Sequence, residues 1–226
     1  MDTSETIDNK AEQIDVALFP IPNMVSFPGI SMPLHVFEPR YRAMIKHSQD
    51  NEVMIAVTHT KKMVSKTKKK RISSDSLNQN QSTYEPHKVF SAGYCETIKT
   101  TADGRIHVLI KPEIRLKLKA ITQQVPFMIA TCEQLPDQII NDTQLCTDRM
   151  GEINQLLQAL CKQQNPELYE IITAPEWLNQ TPKDFSFQLF KYFRFEADFM
   201  QHVLEQTTVI ERLDLIWHGL RQSLEI

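Results

Sequence analysis

Two regimes of apolar and polar positions divide this chain near residue 137, with short apolar or alternating segments before it and helical stripes after it. Residues 16–19 (VALF) and 30–36 are brief apolar runs set off by Pro20, Pro22, Pro28, Pro33 and Pro39. Proline fixes φ and cannot donate to a ladder, so each marks a strand end, an edge, a turn or a helix start, and the two runs read as strands. Pro28-Gly29 has the Pro-then-Gly order of a type II turn. Pro39 suits a first helical position, Glu38 sits beside the positive end of the dipole, and Tyr41, Met44 and Ile45 share a face, which predicts a helix fading near Gln49, Asp50 and Asn51. Residues 53–57 (VMIAV) suit a strand buried on both sides. Residues 89–100 and 105–110 flank Ala102-Asp103-Gly104, a hairpin signal, and residues 113–119 alternate charged and aliphatic at each step. With residues 126–133 this makes about seven strands, enough to close or nearly close a barrel.

Beyond Leu135-Pro136-Asp137 the period changes to helical. Residues 145–163 place Leu145, Arg149, Ile153, Leu156, Leu157 and Leu160 near one face, and Pro166 starts a short helix. Thr181-Pro182-Lys183-Asp184 supplies an N-cap, a proline at N1 and an acid at N3. The following FSFQLFKYFRF fits both a strand and a helix, and the cap decides for helix. Thr208 and Glu211 form a capping box ahead of Ile210, Leu213, Trp217, Leu220 and Leu224, a broad stripe for packing on other helices.

Phe19-Pro20, then Phe27-Pro28-Gly29, then Pro33-Leu34-His35-Val36-Phe37-Glu38-Pro39-Arg40-Tyr41 resemble the opening signature of the Lon substrate-binding domain, the N-terminal module of the Lon protease. Weaker resemblance runs through Ala102-Asp103-Gly104-Arg105 to Arg115, then to Leu204-Glu205 and Glu211-Arg212-Leu213. One departure is Pro112-Glu113, where the family often has a glycine before its arginine. The resemblance implies an α+β protein: a disordered tail over residues 1–10, a PUA-like β-barrel over residues 11–137, and a C-terminal helical bundle over residues 138–226. It also implies a free-standing member without the ATPase and protease domains, a non-catalytic module that binds client or partner polypeptides.

Composition narrows the chemistry. With 226 residues and 41% hydrophobic content the chain can bury a sizeable core, about 70% of its extended surface. A net charge of −3 argues against a polyanion-binding body as a whole. The first fifteen residues are acidic and polar, unlike a secretory signal, and no apolar run approaches the ~18 residues of a spanning helix. Cys95, Cys132, Cys146 and Cys161 lie far apart with no CxxC, as expected for reduced, buried thiols in a cytoplasmic protein. Phosphate-loop, dinucleotide, zinc-protease and serine-hydrolase motifs are all missing, and the seven histidines form no i,i+4 pair. No cofactor, metal or catalytic residue is therefore assigned, and His35 reads as a hydrogen-bonded structural histidine.

Function then rests on a surface. Residues 21–27 join the first two strands and carry Met24, Val25 and Phe27, whose apolar side chains can engage unfolded polypeptide or can tuck under the loop to seal the barrel. Phe37, Arg40 and Tyr41 are further contact residues, with an architectural role through packing and an ion pair beside that one. An alternative is RNA binding by a mobile basic loop over residues 61–84, where Lys61, Lys62, Lys66, Lys68, Lys69, Lys70 and Arg71 form either an electrostatic footprint or a solvated charge run.

Overall fold

The first strand, β1 (Gln13–Pro20), is apolar at each position from 16 to 19 because both its faces are covered. Ala17 and Phe19 point into one core with Ile55 and Val57 of β3 (Ile55–Thr58), while Val16 and Leu18 point into another with Ala56. The computed structural model describes residues 13–65, 83–139 and 143–224. Between β1 and β3 lie β2 (Met32–Val36) and α1 (Pro39–Asp50), and α1 buries Tyr41, Met44 and Ile45 against the first core as the spacing predicts. After β3 come β4 (Thr60–Ser65), β5 (Thr83–Pro86), β6 (Val89–Thr100), β7 (Ile106–Gln123) and β8 (Met128–Gln134).

Strand order in the main sheet is β2-β7-β6-β3-β1-β8, and β8 pairs with β7 as well as β1, so β7, β6, β3, β1 and β8 form a closed circuit of hydrogen-bonded neighbours. Among the described residues only β1 and β3 run parallel, joined through β2 and α1. The β6–β7 hairpin turns at residues 101–105, where Gly104 takes φ +79 and its N–H donates to the Thr101 carbonyl. Residues 106–110 and 113–119, read separately above, belong to the single strand β7. Pro112 is tolerated inside it because it lies opposite Gly93 at a register shift, where the ladder is already irregular. Residues 61–65, assigned above to a mobile loop, are strand: β4 pairs with β5 in a separate two-stranded sheet. Residues 1–12 and 66–82 lie outside the described residues.

The helical part comprises α2 (Thr143–Gln164), α3 (Pro166–Thr173), α4 (Pro175–Leu178), α5 (Pro182–Gln188), α6 (Ala197–Glu205) and α7 (Val209–Leu224). Helix α2 buries Ile153 and Leu157 as the leucine pattern predicts, but its first turns are rotated relative to it. Leu145 is exposed, and the buried seam is Cys146, Met150, Ile153, Leu157 and Cys161, with Asn154 accepting the Trp177 Nε1 proton at 2.7 Å. The Thr181 cap forms, its Oγ accepting from the Asp184 N–H at 3.1 Å. The helix behind it is shorter than expected: α5 ends at Gln188 and a 3-10 turn (Leu189–Lys191) follows, which brings Phe190 as well as Phe187 into the core. In α7 the buried seam is Leu213, Ile216 and Leu220, while Trp217 is held between the guanidiniums of Arg149 and Arg221.

Several ties join sheet and helices, among them the following. Phe27, from the loop after β1, is part of the helical core. The Gln201 side chain on α6 donates to the Val89 carbonyl at 2.9 Å. Arg115 on β7 and Arg212 on α7 share the carboxylate of Asp137, which lies between the two halves.

Candidate functional site

The segment between β1 and β2 is fixed at both ends and held near its middle. Ile21 donates its N–H to the Thr58 carbonyl at 2.9 Å. Ser26, fully enclosed, donates to the Val57 carbonyl at 2.9 Å, and the Ser91 hydroxyl donates to the Ser26 carbonyl at 2.9 Å. Residues 27–30 form the expected type II turn, with Ile30 N–H bonded to the Phe27 carbonyl at 3.2 Å and Gly29 at φ +78. Asn23 takes the left-handed φ of 59, a conformation its short polar side chain tolerates better than most, and its N–H donates to His59 Nδ1 at 3.1 Å.

Met24, Val25 and Phe27 all line one groove of about 490 Å³, whose opposite wall is Phe195, Glu196, Ala197 and Met200 at the start of α6. The three side chains differ in depth. Phe27 is buried to 2% and its ring stacks on Phe190 at 4.2 Å and 4°, so it forms the floor, whereas Met24 and Val25 are half-exposed. Arg194 lies on the same rim. The arrangement is a groove of mixed lining, apolar at Met24, Val25, Phe27, Phe195 and Met200 and polar at Asn23, Arg194 and Glu196.

Phe37, Arg40 and Tyr41 lie elsewhere, around a separate hollow of about 320 Å³ with Phe19, Glu38 and Tyr84. Arg40 Nε contacts Glu38 at 2.9 Å while its guanidinium lies 4.5 Å over the Tyr41 ring. Burial pushes the Tyr41 hydroxyl up to about 12. His35, expected above to be a hydrogen-bonded structural histidine, is exposed and stacks on His107 at 4.4 Å, directly across the β2–β7 pair. Lys61 is exposed on β4, Lys62 is on the same strand, and Lys66, Lys68, Lys69, Lys70 and Arg71 lie outside the described residues.

Two constellations escaped the sequence. The first is the cluster of Arg115, Asp137 and Arg212. Arg115 Nη2 meets Asp137 Oδ1 at 2.6 Å and its Nη1 donates to the Leu204 carbonyl at 2.8 Å, while Arg212 reaches both carboxylate oxygens and the Ser186 hydroxyl. Two cations thus share one anion in a dry setting, and burial first, then Arg212, hold the Arg115 guanidinium down at about 10. One signal for it existed: Arg212 sits on the α7 stripe between Val209 and Ile216, where a charge is out of pattern. The second is His59, His87 and Asp198, whose nearest ligand-type atoms lie within 4.8 Å of one another. His59 accepts at Nδ1 from Asn23, so its proton is on Nε2, directed at Asp198 Oδ1 3.1 Å away. His87 stacks on His59 at 5.0 Å and 10°. A metal on Nε2 would require the proton on Nδ1, opposing the Asn23 N–H, and two near-parallel rings do not aim their lone pairs at one point. By geometry His59 links Asn23 to Asp198 while the His87 ring stacks on it, and nothing in the linear spacing of 59, 87 and 198 announces the group.

Comparison with known proteins now bears on the whole chain. Residues 15–222 match the family described as the ATP-dependent protease La (LON) substrate-binding domain. Among solved structures, the N-terminal domain of Mycobacterium avium complex Lon protease superposes with a TM-score of 0.65 at 16% identity, over 91% of this chain and 98% of that one. A Lon N-terminal domain protein from Xanthomonas campestris superposes with a TM-score of 0.55 at 13% identity, over 88% and 95%. Comparison with curated proteins finds no match.

Proposed function

The chain belongs to the ATP-dependent protease La (LON) substrate-binding domain family, and on that premise we propose that it is a protein-binding module that seats apolar stretches of client or partner polypeptides between the residue 21–30 segment and α6. The observation that carries this reading is the groove itself: half-exposed Met24 and Val25 face Phe195 and Met200 across an apolar floor. Methionine adapts its shape to varied partners, and a groove of this size with apolar side chains on both walls supports a binding role. Phe37, Arg40 and Tyr41 then serve architecture, holding α1 to the sheet through the Phe19–Tyr41 contact at 4.1 Å. The chain acts by binding alone and turns over neither ATP nor peptide. Four free cysteines support a reducing, cytoplasmic setting.

Met24→Asp with Val25→Asp tests it. The double variant should bind an unfolded polypeptide such as casein at least about tenfold more weakly, with little salt dependence in the wild type. Wild-type affinity in the double variant overturns the groove. Binding to RNA instead, with log affinity falling against log salt by about 0.7 per phosphate contacted, transfers the function to the basic segment of Lys61 to Arg71.

A further inference from the structure

His59 lies between β3 and β4, its side chain only 5% exposed, and its two nitrogens reach opposite walls of the groove. Nδ1 accepts the N–H of Asn23, which stands next to Met24 on one wall; Nε2 donates to Asp198 in the first turn of α6, the helix of the other wall. The Asn23 bond falls between the two fixed points at Ile21 and Ser26. Asn23 is therefore held by one imidazole in one protonation state, while its neighbour Met24 keeps a separate backbone bond to the Ile21 carbonyl at 3.3 Å. The titratable and charged groups around it are Asp198 from α6, His87 from the β5–β6 turn and, acting on His87, Glu205 from α6 and Lys61 from β4. His87 is tied to the same spot by its backbone N–H, which donates to the His59 carbonyl at 2.9 Å.

We infer that His59 is a proton-sensitive clasp on this groove: a proton gained at Nδ1 turns the acceptor for Asn23 into a donor, releases Asn23 beside Met24, and weakens client binding in mild acid. The inference rests on the groove being the binding site. Neutral imidazole accepts at one nitrogen and donates at the other, whereas imidazolium donates at both. The bond to Asp198 survives protonation and the bond to Asn23 does not, so the hold is lost on the Asn23 side alone, next to Met24. A wall that must be ordered again on each encounter binds more weakly than one already in place.

Amide exchange read by NMR on the full chain tests the clasp without any ligand. From about pH 7.5 to about pH 5.5 the Asn23 protection factor, corrected for intrinsic exchange, should fall roughly tenfold or more in the wild type. In His59→Gln, whose amide accepts and donates like the neutral ring but does not titrate, it should change less than about twofold. In parallel, affinity for a labelled apolar peptide with no ionisable side chains should drop with pH in the wild type and stay flat in H59Q. Unchanged Asn23 protection in the wild type, or an equal loss in H59Q, overturns the clasp. A clasp that opens as described with no peptide bound at either pH upholds the clasp and overturns the groove as a binding site. Should H59Q fold poorly, the wild-type imidazole nitrogen shifts decide: Nδ1 must be bare at neutral pH and gain its proton in step with the loss of Asn23 protection.

Discussion

Arg212 and Asp137 face each other through two bonds, Nη1 to Oδ1 at 2.6 Å and Nη2 to Oδ2 at 2.9 Å, with the guanidinium wholly removed from water. A fork-to-fork pair of this kind fixes orientation as well as distance. Because Arg115 shares the same carboxylate, the cluster holds two cations on one anion, and the anion is the member it can least spare. Asp137→Asn keeps the shape but removes the countercharge. It should cost about 3–5 kcal/mol in urea denaturation, more than Arg212→Met, which leaves Arg115 and Asp137 paired. The reverse order would show that hydrogen-bond geometry, and not charge, holds the halves together.

Phe27 and Met24, three residues apart on one loop, should behave differently. Phe27→Ala opens a cavity beneath Phe190 and should cost about 3–5 kcal/mol. Met24→Ala, at a half-exposed position, should cost about 1 kcal/mol or less. Denaturant midpoints of the two variants check this, and equal losses would place Met24 in the core.

Gly93 is required by crowding and not by its φ. A Cβ built there would lie 1.7 Å from the Lys111 carbonyl oxygen and 2.8 Å from the Pro112 Cα, both backbone atoms that cannot swing away. Gly93→Ala should therefore destabilise by about 1–3 kcal/mol or more and disturb the β6–β7 ladder. By contrast Gly151→Ala, on α2 with open space around it, should raise the melting temperature slightly through helix propensity.

His87 gives the fold a pH dependence of defined sign. Burial first, then the neighbouring His59, hold its imidazole below the ordinary value of 6.5, against an opposing pull from Glu205. A base whose folded value is depressed favours the folded state fully above its unfolded value, and loses that advantage as pH falls from about 6.5 through the depressed value. The wild type should thus lose more stability between about pH 7.5 and about pH 5 than His87→Gln does, read as the difference in urea midpoints. Parallel curves for the two proteins would remove His87 from the linkage.

What the sequence disclosed was local. The type II turn at residues 27–30, the Gly104 hairpin and the Thr181 and Thr208 caps each depend on a few adjacent residues, and each forms. The β4–β5 pair was not legible and the inward face of α2 only at Ile153 and Leu157, because partners distant in sequence decide the rest: Cys146 and Met150 are inside and Leu145 outside only through what packs on α2. The candidate groove was half visible. Met24, Val25 and Phe27 announced an apolar loop, but Phe195 and Met200 across from them, and the His59 ring behind, come from segments whose approach no spacing encodes.

The doubly paired strand β1 has a consequence for how the chain is made. One edge of β1 finds β3 within a few dozen residues, but its other edge waits for β8, where Thr131 finally donates to Asp15 across 116 positions. Arg115 and Asp137 wait longer still for Arg212. A chain emerging from the ribosome therefore carries an open apolar strand edge until β8 is synthesised, and an incomplete charge cluster until α7 follows. Ribosomes stalled within α7 would release a sheet whose carboxylate lacks its second cation, a nascent form open to aggregation or proteolysis at the seam between the halves.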